Sequence, residues 1–218
     1  MLGLQEFSYS LTTTSFVVCT LSILILIKNL ECAAVKMILL YQFIWLLTGL
    51  ISFYLAKQTA NNLPLLHLHT LLEYFLISSF YLKVYSSRII KSIILKLLLL
   101  GGALIICNSL FIQSVYTFNS YGRTLSQVLI VFYTLQFYFV KQELKQLHIP
   151  KEFIEFINAA FLIYYAGSLF IFMSSNLLIN DQTSSHEVLW TINSILSFLS
   201  QLIILTGVWK LTSIQLKS

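Results

Sequence analysis

Long apolar runs alternate with short polar segments along the whole chain. Each run reaches or approaches the roughly 20 residues that an α-helix needs to cross about 30 Å of hydrocarbon. The pattern predicts an all-α polytopic membrane protein in which residues 1–218 form a single domain of seven transmembrane helices. The seven runs lie near 8–27, 37–56, 64–82, 93–113, 121–140, 153–179 and 186–209.

The composition supports this fold class. Hydrophobic residues make up 58% of the chain and charged residues only 10%, against about 25% charged residues in soluble domains. The spans and their connections use up all 218 residues, so we expect no separate soluble catalytic or output module. No Lys or Arg precedes the first run and no small-residue cleavage pattern follows it, which favours a permanent span over a secretory signal peptide.

The basic residues give the expected orientation. Of the thirteen Lys and Arg residues, all except Lys57 and Arg123 fall on one side of the membrane when the seven spans are drawn. Because basic residues are retained in the cytoplasm, the N-terminus is expected outside and the C-terminus inside. We therefore expect a multi-pass protein of the bacterial inner membrane, whose partners include the lipid bilayer. The net charge of +5 is explained by helix ends that meet anionic headgroups, and no nucleic-acid partner is indicated.

Spans four, six and seven show where helices are expected to contact one another. In span seven, Asn193 and Gln201 share the polar side of the helix, and leucines and isoleucines fill the opposite arc. Tyr165 belongs to a thinner polar stripe on span six. Gly101 and Gly102 in span four indicate close helix approach. The simplest explanation of the polar stripes is interhelical hydrogen bonding, worth about 0.6 kcal/mol per contact.

The sharpest motif is NNLPLLHLHTLLEY, residues 61–74, at the outer end of span three. His69 and Glu73 share a helix face because a separation of four residues returns to nearly the same angle. A carboxylate at this depth costs about 2.5–3.5 kcal/mol, so Glu73 is expected to be paired, protonated or facing water. Arg123 either recognises a ligand carboxylate or pairs with Glu73. The candidate ligand-binding residues are His69, Glu73, Arg123, Tyr165, Asn193 and Gln201.

Three histidines on the outer side form a candidate metal site. His67, His69 and His186, with Asp181 and Glu187 nearby, carry groups that hold zinc or titrate near neutral pH. The alternative is that these histidines lie at the interface and bond to loop carbonyls and to Glu73. On one helix His67 and His69 point about 200° apart, so both bind one metal only if the helix begins after His67. The cofactor stays unknown, with a divalent metal as the candidate.

Several absent patterns narrow the function. A retinal protein carries a lysine in the middle of its seventh span, whereas Lys210 lies at the end of this one. The chain has no HExxH pattern, no phosphate-binding Gly-rich loop and no GxSxG nucleophile elbow. No catalytic residue is assigned, and the enzyme question stays open. An unfamiliar membrane enzyme would use His69 and Glu73 as acid and base.

The seven spans, the outward N-terminus and the motif at 61–74 resemble the seven-helix membrane regions found alone or fused to sensor histidine kinases in bacteria. This chain departs from the fused form because no kinase core is attached. The resemblance implies a sensory or accessory protein that binds a small ligand, proton or metal at its outer face and signals through a separate partner or a homo-oligomer. That hypothesis predicts that spans three, six and seven converge around Glu73. A membrane-embedded enzyme or carrier for a lipid or small solute, and a structural subunit of a membrane complex, are the alternatives.

Overall fold

The computed structural model describes residues 2–140, 150–179 and 184–215, without the side chains of 2, 175–179, 184–186 and 213–215. These residues are almost entirely helical and include no β-strand. The seven long helices are α1 (Leu2–Leu26), α2 (Ala33–Lys57), α3 (Leu63–Val84), α4 (Arg88–Cys107), α5 (Ser120–Phe139), α6 (Lys151–Ile179) and α7 (Ser184–Gln215). A short 3₁₀ turn follows α1, and a π-helical turn, Asn108–Ile112, follows α4.

Within the described residues, six helices are long and apolar enough to cross a membrane. The remaining helix, α5, has 20 residues but carries a buried polar face. The all-α, multi-span prediction is confirmed at this level. Several helices extend beyond the apolar runs, and α7 has 32 residues, because hydropathy marks the hydrocarbon segment whereas backbone hydrogen bonding continues past it. α4 instead ends at Cys107, before the end of its run, where the π-helical turn begins.

The helices pack as a closed ring. Each of α1 to α3 contacts the next helix along the chain, α5 contacts α6, α6 contacts α7, and α7 returns to α1. α4 packs against both α3 and α5, which also contact each other directly. Aromatic side chains fill the interior. Tyr41 of α2 and Phe80 of α3 both meet Phe161 of α6 edge to face, with ring centroids 5.2 and 6.2 Å apart.

Only one of the two adjacent glycines in α4 lies at a helix contact. A Cβ added to Gly101 would lie 2.5 Å from the Tyr74 hydroxyl and 2.6 Å from Leu129 Cδ1. A Cβ added to Gly102 would meet nothing within 4 Å. The expected close approach is confirmed at Gly101, where the missing side chain lets α4 lie against α3 and α5.

The two faces of α7 are divided in part as the sequence predicts; Leu196 and Ile203, expected on the apolar arc, instead pack against the core. Val188, Ile192 and Leu199 are exposed, each by more than 40%. Ser200 and Gln201 are buried, and Ser200 donates a hydrogen bond to the Ala160 carbonyl of α6 at 3.2 Å. Val188, Ile192 and Leu199 therefore face the outside of the bundle, and Ser200 and Gln201 face the other helices.

The start of α3 is fixed by two asparagines. Asn61 Oδ1 accepts a hydrogen bond from the Leu63 backbone N–H at 2.9 Å, and Pro64 occupies the first turn. Asn62 Nδ2 donates to Ser52 Oγ of α2 at 2.6 Å. These contacts tie the first turn of α3 to the end of α2, which sets the depth of every later residue on α3.

Candidate functional site

Glu73 and Arg123 form an ion pair inside the bundle. Arg123 Nη1 donates to Glu73 Oε2, and the two side chains are only 2% and 1% exposed. Glu73 lies ten residues after the start of α3, about 15 Å along the helix at 1.5 Å per residue. The carboxylate is therefore paired, and of the two alternatives offered for Arg123 the structure shows the contact with Glu73.

His69 connects this ion pair to α2. Its Nε2 lies 3.5 Å from Glu73 Oε1, and its Nδ1 lies 2.9 Å from Thr48 Oγ1. The predicted shared face of His69 and Glu73 is confirmed by the first distance. Thr48 also donates to the Ile44 carbonyl one turn earlier, at 2.7 Å.

The hydroxyl hydrogen of Thr48 points either to its own helix, where the Ile44 and Trp45 carbonyls lie 2.7 and 3.3 Å away, or to His69, which allows two proton arrangements. In one, Thr48 donates to Ile44 and His69 Nδ1–H donates to Thr48. In the other, Thr48 donates to His69 Nδ1 and the imidazole keeps its hydrogen on Nε2, facing Glu73. A doubly protonated imidazole permits only the first arrangement. The protonation state of His69 is thus linked to the hydrogen bonding of α2.

Two tyrosines and a phenylalanine of α6 surround the guanidinium. Arg123 Nη2 donates to the Tyr164 hydroxyl at 3.3 Å. Arg123 Cζ lies 5.0 Å from the ring centroid of Phe172 and 5.8 Å from that of Tyr165. Both rings are within the range of a cation–π interaction. We call Thr48, His69, Glu73, Arg123, Tyr164 and Tyr165 the Arg123 cluster.

Two buried polar atoms of the Glu73–Arg123 pair make no close hydrogen bond among the described residues. They are Arg123 Nε and Glu73 Oε1, beside which His69 Nε2 lies at 3.5 Å. A buried polar atom without a partner costs about 1–3 kcal/mol. The two atoms are a donor and an acceptor, so a proton added at the carboxylate or a rearranged hydrogen bond would have a group to bind.

An aromatic group closes the end of the bundle beside Arg123. Phe118 of the loop before α5 stacks on Phe172, with centroids 5.9 Å apart and ring planes at 12°. Trp190 of α7 meets both rings edge-on at 5.8 Å. Phe118 and Phe172 are less than 8% exposed. α7 therefore reaches the site through Trp190, while α2, α3, α5 and α6 supply the polar side chains.

Gln201 contacts a different part of the bundle. Its Oε1 accepts a hydrogen bond from Gln42 Nε2 of α2 at 2.9 Å, and the Cys19 thiol donates to the Gln42 carbonyl at 3.4 Å. Asn193 is half-buried, and its Oδ1 has no hydrogen-bond partner among the described residues. Of the six candidate ligand-binding residues, the structure therefore brings together His69, Glu73, Arg123 and Tyr165.

Two of the candidate metal-binding histidines, His67 and His69, have separate surroundings. α3 begins before both His67 and His69, and His67 points towards α4, with Nδ1 2.8 Å from Ser109 Oγ and Nε2 3.2 Å from the Thr117 carbonyl. Among the described residues, no three His, Cys, Asp or Glu side chains are grouped to hold a metal. Asp181 and the side chain of His186 lie outside the described residues, so the metal site stays a prediction.

Thr48, Tyr164 and Phe172 were not predicted from the sequence. A single hydroxyl in an apolar helix and aromatic residues in a membrane span are common, and no periodic pattern distinguishes these three. The sequence offered one indirect indication of these residues: a carboxylate buried in a membrane span, such as Glu73, is costly and requires polar neighbours from other helices.

The chain matches no protein-family model, no curated protein and no solved structure. Its function is therefore inferred from the Arg123 cluster itself.

Proposed function

We propose that this chain is a sensory or accessory protein of the bacterial inner membrane. It binds a small ligand, a proton or a metal at the end of the bundle that carries the α2–α3 connection, and it signals through a separate membrane partner. The observation that supports this proposal most directly is the buried Glu73–Arg123 pair with unpartnered polar atoms beside it.

The Arg123 cluster connects four helices, and a change in their relative positions would transmit a signal. Thr48 is on α2, Glu73 on α3, Arg123 on α5 and Tyr164 on α6. A new charge or a bound guest changes the hydrogen bonds between these helices, and a ligand shifts a conformational equilibrium by its differential affinity for the two states. Small helix displacements of this kind are an established way to carry a signal across a bundle.

The distribution of basic residues supports the orientation. Lys83, Arg88 and Lys91 lie at the connection between α3 and α4, whereas Lys57 lies at the opposite end of the bundle. Because basic residues are retained in the cytoplasm, the α2–α3 connection and the Arg123 cluster face the outside. In this orientation the partner protein contacts the cytoplasmic end of the bundle, which carries Lys83, Arg88 and Lys91.

Orientation is tested with single cysteines in a variant in which Cys19, Cys32 and Cys107 are replaced by serine. Thr59→Cys, in the α2–α3 connection, should react with a membrane-impermeant maleimide in intact spheroplasts. Ser86→Cys, in the α3–α4 connection, should react only after the membrane is opened. The reverse labelling would contradict the proposed orientation.

The sensory role is tested in the bacterium that encodes the chain. Transcript profiles are compared for a deletion strain and for strains complemented with the parent, with Glu73→Gln and with Lys57→Gln. Glu73→Gln should reproduce the deletion profile although the protein accumulates in the membrane, because it removes the carboxylate of the cluster. Lys57→Gln removes an exposed charge at the same end and should restore the parental profile.

Two outcomes would overturn the sensory role. One is a deletion that changes no transcript under any condition in which the protein is made. The other is full complementation by Glu73→Gln, which would leave the cluster as a contact between helices and favour a structural subunit.

The order Thr48, His69, Glu73 favours a membrane-embedded enzyme as the second candidate. A hydroxyl, an imidazole and a carboxylate in succession are the parts of a nucleophilic triad. Thr48→Val would abolish such an activity and Thr48→Ser would retain it. The sensory role instead predicts that Thr48→Val shifts the response without abolishing it, because the Glu73–Arg123 pair remains.

A further inference from the structure

An apolar groove lies between the first turns of α3 and the last turns of α4. It has a volume of about 260 Å³. The α3 wall is formed by Pro64, Leu68 and Leu71, and the opposite wall includes Ile106, Leu110 and Val115. Leu68, Ile106 and Leu110 are 51%, 44% and 67% exposed, so the groove is open along its length.

The π-helical turn after α4 forms one wall and is held in place by its own contacts. Its backbone is closed by the Gln113 N–H, which donates to the Asn108 carbonyl at 2.8 Å. Asn108 Nδ2 donates to Asn119 Oδ1 at 3.1 Å, and Gln113 Nε2 donates to Ser120 Oγ at 3.0 Å. π turns recur at functional sites, and here the turn is anchored to the start of α5. The groove is therefore preformed.

The polar groups in the groove already have partners within the protein. Both ring nitrogens of His67 are engaged: a neutral imidazole donates its Nε2–H to the Thr117 carbonyl and accepts the Ser109 hydroxyl hydrogen at Nδ1. The Ile105 carbonyl, 3.1 Å from Ser109 Oγ, is the alternative acceptor for that hydroxyl hydrogen. A polar guest would find no free partner in this groove, whereas a hydrocarbon loses nothing by entering it.

We propose that the groove holds an acyl chain of a membrane lipid. Apart from Val115, the residues of its walls belong to segments that are long and apolar enough to cross a membrane, Leu63–Val84 and Arg88–Ile112. Its open side is continuous with the exposed leucines and isoleucines that meet the bilayer, so the molecule in front of it is a lipid. An unfilled apolar groove forfeits dispersion contacts with its walls, and a flexible acyl chain restores them. This proposal does not depend on the sensory role.

The test uses the full chain in phosphatidylcholine nanodiscs that contain a small fraction of phosphatidylcholine with a diazirine on one acyl chain. After irradiation, lipid adducts are located by mass spectrometry. Adducts at Leu71 and Ile106 should exceed several-fold those at Leu21 and Leu24 of α1, which are 47% and 55% exposed on an ordinary lipid-facing surface. Equal adduct density on the two surfaces would overturn the proposal.

A groove-filling variant tests the same point independently. Leu71→Trp should lower the adducts at the α4 wall to the level found on α1, because the indole occupies the groove. Leu21→Trp adds the same bulk on α1 and should leave the groove adducts unchanged. If Leu71→Trp does not accumulate as folded protein, Leu68→Trp at the exposed rim takes its place. Groove adducts that persist with an indole in the groove would contradict the proposal.

Discussion

Glu73 and Arg123 are 50 residues apart in the sequence and neutralise each other's charge inside the bundle. Removing one partner of a buried pair costs about 3–5 kcal/mol, because the other charge is left without compensation. We therefore expect Arg123→Gln to lower the free energy of unfolding by about that amount. Thermal unfolding in detergent measures the change.

The double variant Glu73→Gln/Arg123→Gln separates pairing from the loss of one charge. With both charges removed, the protein should be more stable than with Arg123→Gln alone, since coupled residues are not additive. Lys57→Gln removes the other basic residue at this end, which is exposed, and should leave stability unchanged. A double variant as unstable as the sum of the single variants would show that the pair contributes no coupling.

The two glycines of α4 provide a matched test of helix approach. Gly101→Ala should destabilise the protein by about 1–3 kcal/mol, the usual cost of adding a methyl group to a packed contact. Gly102→Ala should be neutral or stabilising, since alanine gains up to about 1 kcal/mol over glycine in a helix and its Cβ meets no other atom. Equal effects of the two substitutions on the unfolding temperature would refute the proposed contact.

Two buried tyrosines of the α3 region differ in their hydroxyl partners. The Tyr81 hydroxyl donates to Asn158 Oδ1 of α6 at 2.6 Å, whereas the Tyr85 hydroxyl has no partner among the described residues. Tyr81→Phe should cost about 0.5–1.5 kcal/mol, as for a typical hydrogen bond. Tyr85→Phe should be neutral or stabilising, because it removes an unsatisfied polar atom. The free energies of unfolding of both variants are compared in the same detergent. A larger loss of stability for Tyr85→Phe than for Tyr81→Phe would contradict this prediction.

The Gln42–Gln201 hydrogen bond allows a double-mutant cycle between α2 and α7. Leucine at either position removes the bond while keeping a side chain of similar length. We expect a coupling energy of about 0.6 kcal/mol, the average for polar contacts in membrane bundles. A coupling near zero would mean that each glutamine finds other partners when the first is lost.

The fold class was accessible from the sequence because apolar runs of membrane length seldom occur outside transmembrane helices. The local part of the site was accessible as well, since His69 and Glu73 are separated by one helical turn. For Arg123 the sequence left two alternatives, recognition of a ligand carboxylate and pairing with Glu73. The cost of a buried carboxylate indicates that Glu73 needs a partner, but it does not specify which residue that partner is.

The contacts that depend on packing between helices could not be predicted. Thr48 meets His69 because α2 and α3 are tied together at their connection, which no local pattern records. Gln201 lies on the expected face of α7, yet its partner is Gln42, since a helix face does not specify which neighbour it meets. The same holds for Phe172 and Trp190, whose contact depends on how α6 and α7 pack.

The polar face of α5 also constrains how the protein is made. Apart from Arg123, this helix buries Ser126, Gln127 and Thr134, and it is the long helix that falls outside the six most apolar ones. A lone segment of this kind partitions poorly from the translocon into lipid. Glu73 is synthesised 50 residues before Arg123, so its carboxyl group has no counter-ion until α5 follows.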